Sequence, residues 1–296
     1  MNIIAATFCI ILFSLTVPFT RIAALETSPE AIIFLRLIGA SFVSLIFIVI
    51  DGWIPPKKIW GTIATTAIGS VIGFASFTAF ALKQVPSSHA AVGLAAMPIV
   101  TAAYSTIRDR INPGLKFWLF AALGTLLSFS FFFFMNIDQL GHGDFLLVMA
   151  VFSASLGYVE GGRMSRIHGG RRIMTWSIVA TLPISIPLAI YYFSHFHFQA
   201  KSLSISAWLS ILYLAVVSQS TGMFLWFRVL AIGPMEKIAL VQLLQPFFTL
   251  LASIIFLSEN VLWATWVIAF LVAACIMGAN KEKTLLIKSF SVQNET

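Results

Sequence analysis

The residues LKQVPSSHAAVGLAAMPIVTAAYSTI, Leu82 to Ile107, align without a gap on LAIGPMEKIALVQLLQPFFTLLASII, Leu230 to Ile255. Leu82 matches Leu230, Pro86 matches Pro234, Ala91 matches Ala239 and Pro98 matches Pro246. Thr101 matches Thr249, Ser105 matches Ser253 and Ile107 matches Ile255. Two unrelated apolar helices seldom share two prolines and two hydroxyls in register, so the chain reads as two related halves.

Composition fixes the solvent of those halves. Of 296 residues, 59% are hydrophobic and only 10% charged, and the mean hydropathy is +0.96. No water-facing surface can be assembled from such a chain, which makes the lipid bilayer its partner. The net charge of +7 comes from basic residues set singly or in pairs between apolar stretches. They read as determinants of topology, not as a nucleic-acid patch, and nucleic acid is excluded as a partner. Cys9 and Cys275 lie within apolar runs as small hydrophobes.

A membrane-crossing helix needs about 20 mostly apolar residues. Gly, Pro and charges divide the chain into such stretches near residues 2–20, 31–50, 59–81, 89–107, 115–135, 144–164, 173–193, 207–229, 237–257 and 261–280. The predicted fold is an all-α membrane protein of ten transmembrane helices. The first span lacks a basic flank and a small-residue cleavage site, so it reads as a retained helix. Of the 18 Lys and Arg, Arg21, Lys83 and Lys201 fall on one side, Arg36 lies within a span, and the remaining 14 fall on the other side. That bias puts both termini in the cytoplasm. Five spans per half then enter the bilayer in opposite senses, which gives two inverted five-helix repeats, 1–138 and 139–280. Residues 281–296 follow as a polar cytoplasmic tail. Duplication of this kind is the pattern of secondary transporters.

The chain resembles the ten-helix EamA-like branch of the drug/metabolite transporter superfamily. The resemblance is carried by PFTRIAAL and SPEAIIFLRLIGASF in the first two spans and AFALKQVPSSHAAVGLAAMPIVTAAYS across the third and fourth. It continues through GHGDFLLVMAVFSAS entering the sixth, and LWFRVLAIGPMEKIALVQLLQPFFTLLASIIFLSENVLWATWVIAFLVAACIMGAN over the last three. It implies a multi-pass transporter of the bacterial cytoplasmic (inner) membrane, carrying a small-molecule substrate without a cofactor. In that family the fourth and ninth spans carry a mid-helix Pro and end in an acid. The second half complies with Pro246 and Glu259, whereas the first half has Ile111 at the equivalent place, with Asp109 the nearest acid.

Polar residues at membrane depth are expensive unless they face a cavity or a partner helix. Gln242 and Gln245 share one helical face just before Pro246, and their counterparts in the fourth span are Leu94 and Met97 beside Pro98. Gln219, Ser218, Ser220 and Thr221 cluster in the eighth span, with Trp226 further on. Ser76 and Thr78 sit among Phe74, Phe77 and Phe80 in the third. These residues outline a pocket suited to an amphipathic metabolite such as an amino acid, although packing glue and hydroxyls bonded to their own backbone account for the same residues. Arg36 either binds a carboxylate or snorkels to pair with Glu26 or Glu30, and the ion pair is the favoured reading. The resemblance adds weight to the carboxylate, because an Arg recurs there in the family. Glu160 either pairs with Arg163 at i, i+3 or couples transport to protons. His89 is expected among headgroups, and Gly69, Gly73, Gly93 and Gly124 at close helix crossings. Pro18, Pro98 and Pro246 are the expected hinges. A central cavity is expected between the third, fourth, eighth and ninth spans, with the first and sixth as gates.

Other chemistries fit worse. Gly141-His142-Gly143-Asp144 matches the Gly-x-Gly-Asp of intramembrane aspartyl proteases, but Asp144 opens a span and no second Asp lies in an apolar run. As a helix N-cap it needs no catalytic role. His195 and His197 lack the neighbours of a metal site, and no phosphate-binding loop is present. The chain therefore reads as no enzyme. Export of small metabolites, amino acids or their derivatives first, leads over efflux of drug-like amphiphiles and over uptake or facilitated diffusion. Monomer and homodimer are both compatible with the sequence.

Overall fold

The structure is a computed structural model that describes residues 3–134, 141–195, 203–233, 235–258, 263–280 and 285–286. Glu259, His197, Lys201 and most of 281–296 fall outside the described residues. In chain order the helices are α1 (Ile4–Glu26), α2 (Pro29–Asp51), α3 (Lys57–Gln84), α4 (Ser87–Asp109), α5 (Leu115–Phe134), α6 (His142–His168), α7 (Gly170–His195), α8 (Ile205–Ile232), α9 (Ile238–Leu257) and α10 (Trp263–Asn280). Among the described residues eight of them are long and apolar enough to cross a membrane, and α5 and α10 contribute the shorter apolar stretches Leu115–Leu127 and Phe270–Ala279. Apart from a two-residue antiparallel bridge between Ile111–Asn112 and Leu285–Leu286, the described residues form no strand.

The helix ends follow from local chemistry. Ser28 caps α2, its Oγ accepting from the Ala31 amide at 3.3 Å, with Pro29 as the first helical residue. Gly52 closes the helix in the left-handed conformation at φ 57°. Ser204 caps α8 in the same way, accepting from the Ala207 amide at 3.2 Å. The outward faces are apolar: Phe42 is 69% exposed, Val49 81% and Phe270 75%. In water such a surface would aggregate, whereas in a bilayer it is the lipid contact.

Prolines explain where the helices break. Pro18 has no N–H to offer the Ser14 carbonyl, and α1 divides at Leu15 into Ile3–Ser14 and Thr16–Glu26. Pro98 leaves the Leu94 carbonyl without its helical donor, and α4 tightens to a 3₁₀ turn over Leu94–Ala96. Pro246 does the same to Gln242, and α9 tightens over Val241–Leu244. Each turn repairs its loss, with the Met97 amide reaching the Leu94 carbonyl and the Gln245 amide the Gln242 carbonyl. Helices α3 and α8 widen instead into π-helical segments, Ala67–Gly73 and Tyr213–Gly222.

These irregularities recur at one spacing. The shift that carries Pro98 onto Pro246 also carries Arg110 onto Ser258, the two non-glycine residues with positive φ among the described residues, at 52° and 54°. It places Ala67–Gly73 within Tyr213–Gly222, and Leu115 on Trp263, the first residues of α5 and α10. Helices α4 and α9 cross antiparallel. The segment Ser87–Gly93 touches Gln245–Leu257, while Met97–Asp109 touches Met235–Leu240.

Helix α6 sits at the centre, in contact with α3, α4, α7 and α8. Its crossing with α3 brings backbone against backbone: a Cβ on Gly157 would lie 2.5 Å from the Ser70 amide nitrogen, and one on Gly69 2.6 Å from the Ser153 carbonyl oxygen. Ser153 Oγ donates to the Gly69 carbonyl at 2.9 Å across the same gap. Small residues permit that approach, and dispersion and hydrogen bonds reward it where no hydrophobic effect acts between helices. Gly157→Val should therefore lower the melting temperature of the purified protein and its folded yield, by overpacking worth about 1–3 kcal/mol or more. Gly61→Ala, where nothing lies within 4 Å of the new methyl, should leave both unchanged in the same light-scattering and thermal-melt assays.

Candidate functional site

Two small cavities meet where the broken helices cross. The first is lined by Leu94, Met97 and Pro98 of α4 and by Gln242, Gln245 and Pro246 of α9, with Val17, Ala91 and Thr249 at its edge. The second is lined by Phe13 and Thr16 of α1, Arg36 of α2, Phe74 of α3, Tyr158 of α6 and Ser218 and Met223 of α8. Met97 and Gln245 line both. Each holds about 10 Å³, the room of about one water, so a solute enters only if helices part.

The walls differ in chemistry. In the first cavity, Gln242 is 2% exposed and neither amide atom has a partner among the described residues. Gln245 is 9% exposed, and its backbone carbonyl accepts from Ser14 Oγ at 3.3 Å. The positions that match them, Leu94 and Met97, supply the apolar wall opposite. The second cavity holds Arg36, 2% exposed, with no carboxylate within 4 Å among the described residues and an Nε that bonds nothing. Thr16 and Ser218 share a hydrogen bond of 2.8 Å beside it. Trp226, fully buried, packs edge-on against Phe13 and Tyr158, and its indole N–H has no partner among the described residues. An unsatisfied buried polar group costs about 1–3 kcal/mol; of those among the described residues, Gln242 lines the first cavity and Arg36 the second, while Trp226 touches two residues of the second cavity without lining it.

Sequence reasoning and geometry part at several residues. Arg36 does not pair with Glu26 or Glu30: Glu26 instead accepts from the Ser204 amide at 2.7 Å and from Ser204 Oγ, because that residue lies against the C-terminal end of α1 while the guanidinium is buried in the helix packing. His89 contacts Asp144 across the start of α4 and α6, with 12% of its side chain exposed. Asp144 is not the cap residue itself. It sits in the first turn and reaches back to the Gly141 amide at 2.8 Å. It thus faces a histidine, not the second carboxylate of a protease. Gln219, fully buried and unpartnered, lies in the π-helical segment of α8 outside both cavities. Ser76, Phe77 and Phe80 are half-buried beside the core, and it is Phe74 of their helix that reaches the site. Thr78 bonds the Phe74 carbonyl at 2.6 Å, the self-satisfying arrangement expected of hydroxyls in spanning helices. The lining draws on α1, α2 and α6 as well as α3, α4, α8 and α9. Tyr158 and Thr16 were missed, since neither stands in a polar cluster of the sequence.

Hydrogen bonds and ion pairs brace the site at both ends. At one end Arg21 donates to the Leu82 carbonyl at 2.6 Å and Lys83 Nζ to the Ala24 carbonyl at 2.7 Å, tying α1 to α3. Ser87 and Ser253, fully buried, bond at 2.7 Å between α4 and α9. At the other end Glu160 accepts from Arg108 Nε at 2.7 Å and from the Tyr104 hydroxyl at 3.0 Å, so its main partners lie on α4. The expected i, i+3 pair is present but long, Arg163 Nη1 lying 3.9 Å from Glu160 Oε2, and Arg163 Nε also meets Asp109 more closely, at 2.6 Å. Midway, Thr101 donates to Ser155 at 2.9 Å. Helices α4 and α6 are thus joined at their ends and their middle.

The EamA-like transporter family model matches residues 1–135 and 141–280. The chain is similar to a protein named "Uncharacterized transporter YdeK" of Bacillus subtilis (strain 168), with 31% identity over 276 residues, 92% of this chain and 94% of that protein. It also shares its fold with a protein of known crystal structure, at a TM-score of 0.72 and 16% identity, over 93% of this chain and 95% of the other.

The α4–α6 brace gives a separable expectation. Glu160→Gln and Arg108→Gln should each lower the melting temperature, and the double variant should melt close to the worse single one, because both remove one interaction. Additive losses in that cycle would show that the two side chains act independently.

Proposed function

The chain belongs to the EamA-like transporter family, and from that we propose that this multi-pass membrane transporter is a secondary carrier that exports small metabolites by alternating access. Amino acids and their derivatives are its leading substrates, and the bacterial cytoplasmic membrane its location. The observation that carries the reading is the antiparallel crossing of two proline-broken helices, α4 and α9, over cavities too small to hold a solute at rest. A permanent pore needs no such closure, whereas a carrier must occlude its site between two openings.

In this reading the chain forms ten spanning helices in two inverted repeats, with both termini in the cytoplasm. The recurring breaks and caps support it, as do the two stretches matched by the family model. Helices α1 and α6 act as gates. The 3₁₀ turns before Pro98 and Pro246, and the break before Pro18, are where they flex. None of the named lining residues is Asp or Glu, which disfavours a carrier of cationic amphiphiles. Glu160 remains the candidate for proton coupling, placed where protonation would release Arg108 and Tyr104 from α6.

Two measurements test this. Inside-out membrane vesicles should accumulate radiolabelled amino acids or N-acyl amino acids when a gradient is imposed, and accumulation should collapse with an uncoupler. Passive equilibration alone would make the protein a facilitator. Replacing Gln242 and Gln245 together with Leu should cut that flux at least about tenfold, the loss expected when a buried hydrogen-bond site is emptied of about 1.4 kcal/mol, while insertion is unchanged. Glu160→Gln that still responds fully to a proton gradient removes the coupling role.

A further inference from the structure

Resting on the carrier reading above, we propose that Arg36 anchors the carboxylate of the solute, and that the site takes a small monocarboxylate of net charge −1 with a neutral hydrogen-bonding tail. Of the amino acids and derivatives in that reading, the site thus prefers those whose amine is absent or blocked over free zwitterions.

The argument begins with charge. Arg36 lies on α2, 2% exposed, and guanidinium cannot shed its proton to escape burial. No carboxylate among the described residues lies within 4 Å of it, its Nε has no partner, and the acid expected to neutralise it, Glu26, is engaged by Ser204. An unpaired buried charge is held at a cost to the fold, which an ion pair within the protein would have removed. A bound carboxylate supplies the missing charge and two oxygens that match the guanidinium fork. The Thr16 and Ser218 hydroxyls line the same cavity, where they can turn toward a solute oxygen.

The rest of the lining sets the class. Among the described residues Arg36 is the only cation lining either cavity, so a single negative charge balances it and a phosphate dianion does not. Among the described residues no acid lines either cavity to hold an ammonium, which would sit in the field of the guanidinium without compensation. Gln245 belongs to both cavities, so a solute headed at Arg36 runs its tail along Gln245 toward Gln242. There the unpartnered amide of Gln242 offers one acceptor and two donors, suited to a hydroxyl or an amide. Leu94 and Met97 cover the other side with apolar surface.

The test uses the purified full-length protein in lipid-free detergent, which removes headgroups as a source of anions, and five matched probes. N-acetylalanine is a monoanion, alanine a zwitterion, N-acetylalaninamide neutral, alaninamide a cation and inorganic phosphate a second anion. N-acetylalanine at saturating concentration should raise the melting temperature of the wild type by about 2–4 °C, with smaller shifts from the other four. Arg36→Met should melt higher than the wild type without ligand and lose the N-acetylalanine shift, while Arg36→Lys should keep part of it. The proposal is overturned if alaninamide, alanine or phosphate gives the largest shift, or if no probe does. It is equally overturned if Arg36→Met retains the shift or melts below the wild type, as breaking a structural ion pair would make it do. Should Arg36→Met not yield folded protein, the wild-type series and Arg36→Lys decide. Gradient-driven flux of other solutes in vesicles would leave the carrier reading standing while this one falls.

Discussion

In hydrocarbon a backbone amide or carbonyl that loses its helical partner has no water to turn to, and each such group costs several kcal/mol. That constraint decides where this chain can afford irregularity. Proline removes a donor at Pro18, Pro98 and Pro246, and the 3₁₀ turns at Leu94–Ala96 and Val241–Leu244 restore the bonds locally. Ser14 reaches from the broken α1 to the Gln245 carbonyl in α9. The irregular backbone faces the protein interior and lines the cavities, which is the one place in a membrane protein where it is tolerated. The cavities and the proline-marked breaks of α4 and α9 coincide, since Leu94, Pro98, Gln242 and Pro246 line the first cavity.

Backbone features recur between the halves: a π-helical segment, a 3₁₀ turn before proline and a left-handed cap at Arg110 and Ser258. Side chains do not. Leu94 and Met97 stand where the other half has Gln242 and Gln245. Counted from the first residue of each helix, Arg36 of α2 meets Ser177 of α7, whose hydroxyl bonds the Ile173 carbonyl of its own helix. A symmetric pair of helix breaks therefore encloses an asymmetric site, apolar on one wall, amide-bearing on another and cationic at one end.

The fold was legible because hydropathy and proline register act through local rules that lipid enforces strictly. The stretch 82–107 and its partner 230–255 disclosed both broken helices, and the prolines located the breaks. Gln242, Gln245 and Arg36 were visible as polar groups at a depth that penalises them. What the sequence could not disclose was pairing across helices. Whether Arg36 meets Glu26 depends on a loop residue, Ser204, far away in the chain, and whether His89 meets lipid or Asp144 depends on how α4 crosses α6. Tyr158 escaped notice for a related reason: a tyrosine between glycine and valine in an apolar helix is unremarkable until α1, α2 and α8 converge on it.

The central claim is that the broken helices let α1 and α6 open the site to one side at a time. Spin labels on a variant with Cys9 and Cys275 replaced by Ser measure this directly, one pair at Leu25 and Phe145 and another at Ile4 and Ile167, all four exposed near opposite ends of those helices. Pulsed electron–electron resonance in nanodiscs, with and without N-acetylalanine, should show the two distances shifting in opposite directions between the same two populations. Distances that stay fixed, or that lengthen together, in protein that still transports would contradict the account.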